Sequence, residues 1–310
     1  MKYNLILPLF LLLFMALMGC TNEQQKRQAA IAELEAEAEG ETDAATAKIL
    51  IESYEDYVSA YPDDPTFTPR YLYREAALQY RLGNFPVAAE RLRQLLEQHN
   101  GAEVAPQAML LLGDLYNSAL QQPKAGQLAL QALTQRYPES ESAKTAAEQL
   151  GNTMVALEDE LEALRLSIYN DSLARLDFRK ADLYIQQSEL YSILLPDEAL
   201  TPTLLYRAGE IARSARNYEK ALELYGKLYA QYPEFEKAPQ ALFMQAFILD
   251  NDLKRFDEAG QLYQQFIDQH PDDDFASSAQ VLLENLGKDE EEIIRNLNTK
   301  AGKQPAPNNQ

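Results

Sequence analysis

Asn217-Tyr218-Glu219-Lys220-Ala221, followed by Tyr225, Leu228 and Pro233, is the stretch that decides the fold. Ala221, Tyr225 and Leu228 recur at four- and three-residue spacing, so they share one side of a helix. Small Ala221 lets a neighbouring helix approach, Tyr218 fills the wedge at the preceding turn, and Pro233 cannot continue the hydrogen-bond ladder. The phrase returns 38 residues later as Phe256, Ala259, Tyr263, Phe266 and Pro271. Upstream it reads Phe85, Ala88, Leu92 and Leu95, with Asn100 in the proline's place, and then Gly126, Leu130, Leu133 and Pro138, with Pro123 in the aromatic's place. Four helix pairs are expected at about 69–102, 107–140, 202–235 and 240–273. Self-similarity at a fixed period is the mark of stacked supersecondary units.

Gly83-Asn84-Phe85-Pro86-Val87-Ala88 and Arg216-Asn217-Tyr218-Glu219-Lys220-Ala221 resemble the turn and second helix of the tetratricopeptide repeat (TPR). The period of 38 exceeds that motif's usual ~34, and the extra residues fall in the linker after each proline. In this long spacing the chain is similar to periplasmic TPR lipoproteins of the BamD and YbgF/CpoB kind. The fold expected is all-α, a TPR-type helical-hairpin superhelix in two similar lobes. The duplication rests on an offset near 134: Ala47, Tyr57, Tyr61 and Pro62 parallel Ala181, Tyr191, Leu195 and Pro196, and Tyr73-Arg74 parallels Tyr206-Arg207. Lobe 1 is placed at 44–152 and lobe 2 at 178–288, each with an opening helix, two repeats and a capping helix. Residues 153–177 carry Met154, Leu157, Leu161, Leu164 and Ile168 at helical spacing and read as a connector helix. Residues 289–310 read as a partly disordered tail.

The chain opens with Lys2 and an apolar run from Leu5 to Met18. Fourteen residues at the helical rise reach roughly 21 Å, short of a bilayer's ~30 Å core and of the size of a signal-peptide apolar region. Gly19-Cys20 resembles the lipobox of bacterial lipoproteins. The resemblance implies a signal peptide over 1–19, cleavage between Gly19 and Cys20, and a lipid anchor on Cys20. Residues 20–43, rich in Ala, Glu and Gln with Ile31 and Leu34 as the large aliphatics, read as a lipidated tether that buries little surface.

Composition points away from chemistry. With 28 basic and 48 acidic residues the formal charge is −20, which repels phosphate backbones and argues against nucleic acid. One cysteine excludes an internal disulfide and Cys-based zinc clusters. His99 and His270 occupy equivalent positions before Asn100 and Pro271, where Tyr61, Tyr137 and Tyr232 stand elsewhere, which reads as helix-end packing. The runs Glu158-Asp159-Glu160, Asp272-Asp273-Asp274 and Asp289-Glu290-Glu291-Glu292 have no cleft motif around them. No catalytic residue, metal site or cofactor is expected.

What remains is recognition. In stacked helix pairs the first helices line a concave face. By the TPR resemblance, the candidate partner groove includes Tyr73, Tyr80 and Arg81 in lobe 1 and Tyr206, Glu210 and Arg213 in lobe 2. Tyr and Arg lead binding hot spots and suit protein or peptide partners. The Lys/Asn pattern of carboxylate-clamp TPRs is missing at these positions. The expectation is a non-catalytic interaction scaffold in the bacterial cell envelope, an outer-membrane lipoprotein facing the periplasm. It would be held to the membrane through Cys20, bind envelope proteins or peptides in its groove, and serve outer-membrane protein assembly by the BamD likeness. The YbgF/CpoB likeness implies instead coordination of envelope constriction with peptidoglycan synthesis, and a third alternative is an accessory or undetected cell-wall enzyme.

Overall fold

The computed structural model describes residues 23–38, 43–151, 156–170 and 175–288. The chain divides into two compact units, Met1–Met154 and Val155–Gln310. In unit 1 a helix over 23–37 (α1) leads into α2 (Ala44–Ala60), α3 (Phe67–Arg81), α4 (Phe85–Gln98), α5 (Ala105–Asp114), α6 (Pro123–Arg136) and α7 (Glu141–Leu150). Unit 2 runs α8 (Leu157–Leu166), a two-residue antiparallel strand pair β1 (Tyr169–Asn170) and β2 (Arg175–Leu176), then α9 (Phe178–Leu194), α10 (Thr201–Ser214), α11 (Tyr218–Gln231), α12 (Ala238–Phe247), α13 (Phe256–Gln269) and α14 (Ala276–Glu284). Within each unit every helix from α2 to α7 and from α8 to α14 packs on its successor in the chain. This is an all-α arrangement of TPR-type helical hairpins.

The repeat phrase forms the core of each hairpin. Ala88, Leu92, Leu95, Ala221, Tyr225, Leu228, Ala259, Tyr263 and Phe266 are all fully buried. Gly126 has no room for a side chain, because a Cβ there would collide with the Asn117 amide. Each second helix stops two residues before its proline or its substitute, at Gln98, Arg136, Gln231 and Gln269. The turn inside each hairpin uses one residue in the left-handed region: Gly83, Gln121, Arg216 and Lys254. The following N–H then reaches back over the helix end, as from Asn84 to the Gln79 carbonyl at 2.9 Å and from Asn217 to that of Ala212 at 2.8 Å. This is the Schellman closure, which satisfies carbonyls that the helix end leaves free. In α5 and α12 the last turn widens to a π-turn, at Leu115–Ala119 and Ile248–Asp252. The widened turn absorbs a residue of the long period inside the first helix of the pair, beside those in the six-residue linker.

Two expectations are corrected. Residues 23–37, placed in a tether, form helix α1 against α2 and α3. Ile31 enters the aromatic cluster of Tyr54, Tyr57 and Tyr71 and is 3% exposed. Polar anchors do the rest: the Gln28 amide donates to the Tyr57 hydroxyl at 2.7 Å, the Gln24 amide to the Asp64 carboxylate at 2.6 Å, and the Tyr54 hydroxyl to Glu35 at 2.8 Å. Composition hides these bonds, because glutamine and glutamate read as solvated. The connector is helical only over Leu157–Leu166, and it belongs to unit 2. Beyond it Ser167 closes the helix end, its hydroxyl bonding the Leu164 carbonyl at 2.8 Å, and Ile168 is buried as the chain turns into β1. Met154, Gly19, Cys20 and the tail over 289–310 lie outside the described residues.

Candidate interaction surface

In unit 1, α3 is the first helix of its hairpin, and α1 lies alongside it. Between α1, α2 and α3 opens a cleft of about 540 Å³. Small Ala32, Ala36 and Ala77 leave the space, and Tyr73, Arg74 and Arg81 stand on the α3 wall. Burial pushes the Tyr73 hydroxyl up from its ordinary value, so it stays a neutral donor. The Arg74 guanidinium pairs with Glu35 of α1. Of the three unit 1 residues expected from sequence, the cleft gathers Tyr73 and Arg81. Tyr80 is turned to the hairpin end, its ring 5.5 Å from that of Phe85. Sequence reading missed Arg70 and Arg74, which the spacing Arg70, Arg74, Ala77, Arg81 would have placed on the same helix side.

In unit 2, Tyr206 is half-buried and sits edge-on to Tyr225 at 5.7 Å. The Lys237 ammonium, at the N-cap of α12, lies 4.9 Å over its face in a cation–π contact, and the Tyr206 hydroxyl donates to Gln240 at 3.4 Å. Arg213 donates from Nε to Asp252 at 3.0 Å and lies 4.9 Å over the Phe247 ring. Glu210 is exposed on the same helix. On the α8 side, Glu162 holds Arg165 at 2.6 Å and Arg207 at 3.1 Å. Tyr206 and Arg213 are thus tied to α12 and its π-turn, contacts that sequence could not supply.

Among the described residues no three His, Cys, Asp or Glu side chains converge as metal ligands, and no helix is long and apolar enough to cross a membrane. Burial holds the His99 imidazole below the ordinary range, and its Nε2 has no hydrogen-bond partner among the described residues. His270 meets the Tyr229 hydroxyl at 3.2 Å. Both stand at a helix end, as the C-caps of α4 and α13.

Sequence profiles of the tetratricopeptide repeat match residues 73–141, and again 203–234 and 240–273. Over 67 residues the chain is 39% identical to the outer membrane protein assembly factor BamD of Rickettsia prowazekii (strain Madrid E), covering 22% of this chain. The match spans about a quarter, 26%, of that relative's length. Among solved structures, the TPR2AB domain of yeast Sti1 in its pHSP90 complex aligns with a TM-score of 0.32 at 16% identity, over 85% of this chain and 98% of that one. The C-terminal part of a TPR repeat-containing protein from Cytophaga hutchinsonii aligns with a TM-score of 0.29 at 12% identity, over 83% and 98%.

Proposed function

Since the chain is a tetratricopeptide-repeat protein, we propose that it works as a non-catalytic scaffold, holding segments of partner proteins on the first-helix faces of its hairpins. The observation that carries the reading is the open cleft on α3, with Tyr73 half-buried and Arg81 exposed on one wall. Tyrosine and arginine are among the residues enriched in protein–protein hot spots.

The finer reading is a lipoprotein of the outer membrane, anchored through Cys20 and facing the periplasm, in the service of outer-membrane protein assembly. The apolar run ending at Gly19-Cys20 and the partial likeness to BamD support it. Thr21 and Asn22 alone separate Cys20 from the first described residue. Three residue steps span at most about 11 Å, so an acylated Cys20 sets unit 1 against the headgroups with no long stalk.

Two measurements test this. A photo-crosslinker in place of Tyr73 or Tyr206, activated in cells, is expected to yield covalent adducts with a defined protein. Recovery of none from either position defeats the scaffold reading. Cys20→Ala is expected to release the protein from membranes, and unchanged retention defeats the lipid anchor while leaving the scaffold untouched.

A further inference from the structure

We propose that the α3 face of unit 1 is a receptor for an acidic segment of a protein partner, while the equivalent face of unit 2 is not. The inference rests on the scaffold reading and names the chemistry of one of its ligands. Arg70, Arg74, Ala77 and Arg81 follow one another at four-, three- and four-residue intervals, so they form a single stripe along α3. All four line the 540 Å³ cleft. In a chain of formal charge −20, three guanidiniums on one side of one helix are a local inversion of sign.

The stripe already holds a carboxylate. Glu35, from α1, sits on the central Arg74, which shows what the face accepts. Arg70 and Arg81 flank that pair, both exposed, and neither makes an ion pair with another described residue. Guanidinium is a rigid fork matched to carboxylate geometry, and it binds such groups bidentately where lysine offers a point charge.

The fold does not require these arginines. At the corresponding positions of α10 stand Thr203, Arg207, Glu210 and Ser214. That helix packs between α9 and α11 as α3 packs between α2 and α4, and it receives a like ion pair from α8, two helices back, Arg207 to Glu162 at 3.1 Å. The unit 2 stripe is balanced by Glu210, whereas the unit 1 stripe has Ala77 there and remains cationic. The alanines of α1 and α3 keep the cleft wide enough for a chain to lie in it, with the Tyr73 ring on its wall. Eleven residues at the helical rise put Arg70 and Arg81 roughly 16 Å apart along the axis. An extended segment matches that span with two carboxylates five residues apart, at about 3.3 Å per residue.

The test uses the full-length protein in detergent and two fluorescein-labelled peptides. One is extended, with two glutamates five residues apart around a central phenylalanine; the other has lysines in their place. Anisotropy is expected to show the glutamate peptide binding, the lysine peptide not binding, and affinity falling as salt is raised. The double variant Arg70→Gln/Arg81→Gln is expected to weaken binding about tenfold or more, with helicity by circular dichroism unchanged, while Arg179→Gln, at an exposed arginine on α9 of unit 2, leaves binding as it was. Equal binding of the lysine peptide, no binding of either peptide, or an unaffected double variant overturns the proposal. So does displacement of the peptide by phosphatidylglycerol vesicles that bind through the same arginines, which would make the face a lipid site. If the peptide fails while the Tyr73 crosslinker still captures a protein, only this inference falls; if the crosslinker also captures none, the scaffold reading falls with it.

Discussion

Units 1 and 2 lay equivalent backbone down 133 to 134 residues apart and then fill it with different chemistry. Their π-turns coincide in register, as do their helix caps, where Asp43 and Asp177 each accept two backbone N–H groups at the start of α2 and α9. Between α3 and α4, however, unit 1 buries an ion pair: Glu75, 1% exposed, receives the Arg91 guanidinium at 2.5 Å, and Arg91 also reaches Glu55 at 2.9 Å. Unit 2 has Ala208 and Leu224 at the same two positions, both fully buried. One residue further along each helix the exchange runs in volume: Ala76 and Leu92 in unit 1 become Gly209 and Tyr225 in unit 2. The hairpin therefore fixes where helices meet and how much volume lies between them. It leaves open whether charge, ring or aliphatic carbon occupies that volume.

Breaking the ion pair should produce the largest effect. Arg91→Met strands the Glu75 carboxylate in the core, and removal of one partner from a buried pair typically costs about 3–5 kcal/mol. Transplanting the unit 2 solution, Glu75→Ala with Arg91→Leu, removes both charges and should recover most of that loss in urea unfolding. The pH dependence has a definite sign. Burial pushes Glu75 above the ordinary carboxylate range, against the pull of Arg91. The folded state thus binds the proton more tightly than the unfolded state, and stability falls as pH rises from about 4.5 through the raised value. Without Arg91 that value climbs further, so the deficit of the single variant should be larger at pH 8 than at pH 5. A deficit that is small, or equal at both pH values, would show that the carboxylate escapes to solvent and that the two units are interchangeable there.

A smaller effect comes from the volume exchange. A Cβ at Gly209 would lie 2.8 Å from the Tyr225 ring, and both residues are held in the core of the α10–α11 hairpin. Gly209→Ala should cost about 1–3 kcal/mol through overpacking. Adding Tyr225→Leu recreates the Ala76–Leu92 pair of unit 1 and also removes a buried hydroxyl that has no hydrogen-bond partner among the described residues. The double variant is expected to be more stable than Gly209→Ala alone, giving a coupling energy of opposite sign to the single losses. Additive losses would mean that the surrounding helices, and not this pair, set the spacing.

The same contrast explains which parts of the molecule the sequence discloses. Positions that determine helix approach are read directly: Ala88, Ala221 and Ala259 as contact points, Pro138, Pro233 and Pro271 as stops, Phe85 and Tyr218 at turns. These follow from volume and from the missing N–H of proline, which act locally. Helix α1 escapes because its attachment depends on bonds from Gln24, Gln28 and Glu35 to hydroxyls and a carboxylate 19 to 40 residues away. Composition carries no trace of such partners. The candidate site is legible only in part for a related reason. Tyr73 and Arg81 could be placed by helix register, but the engagement of Tyr80 with Phe85, and of Arg213 with Asp252 and Phe247, comes from turns and from a neighbouring hairpin.

The slot before each linker sharpens the comparison at its finest grain. Tyr232 of unit 2 donates its hydroxyl to the Pro196 carbonyl at 3.0 Å, and Tyr137 of unit 1 reaches the Asn100 carbonyl in the same way. His99 occupies that slot between α4 and its linker, half-buried as Tyr137 is, so an imidazole stands here where a phenol stands elsewhere. The substitution His99→Tyr should therefore change stability at pH 7.5 by less than about 1 kcal/mol, as a swap within one packing role. Its signature lies in acid. Burial holds the folded imidazole below 6.5, more strongly than Asp63, the Pro62 backbone and Asp64 raise it. The unfolded chain therefore takes up the proton first, and wild-type stability should decline as pH drops below about 6.5 toward the depressed value. In His99→Tyr that contribution vanishes, so the two proteins should diverge between pH 7.5 and 5.5 in parallel urea titrations. Parallel curves would mean that His99 titrates alike in the folded and unfolded chains, and that the slot is a wet helix end in unit 1 although Tyr232 closes it in unit 2.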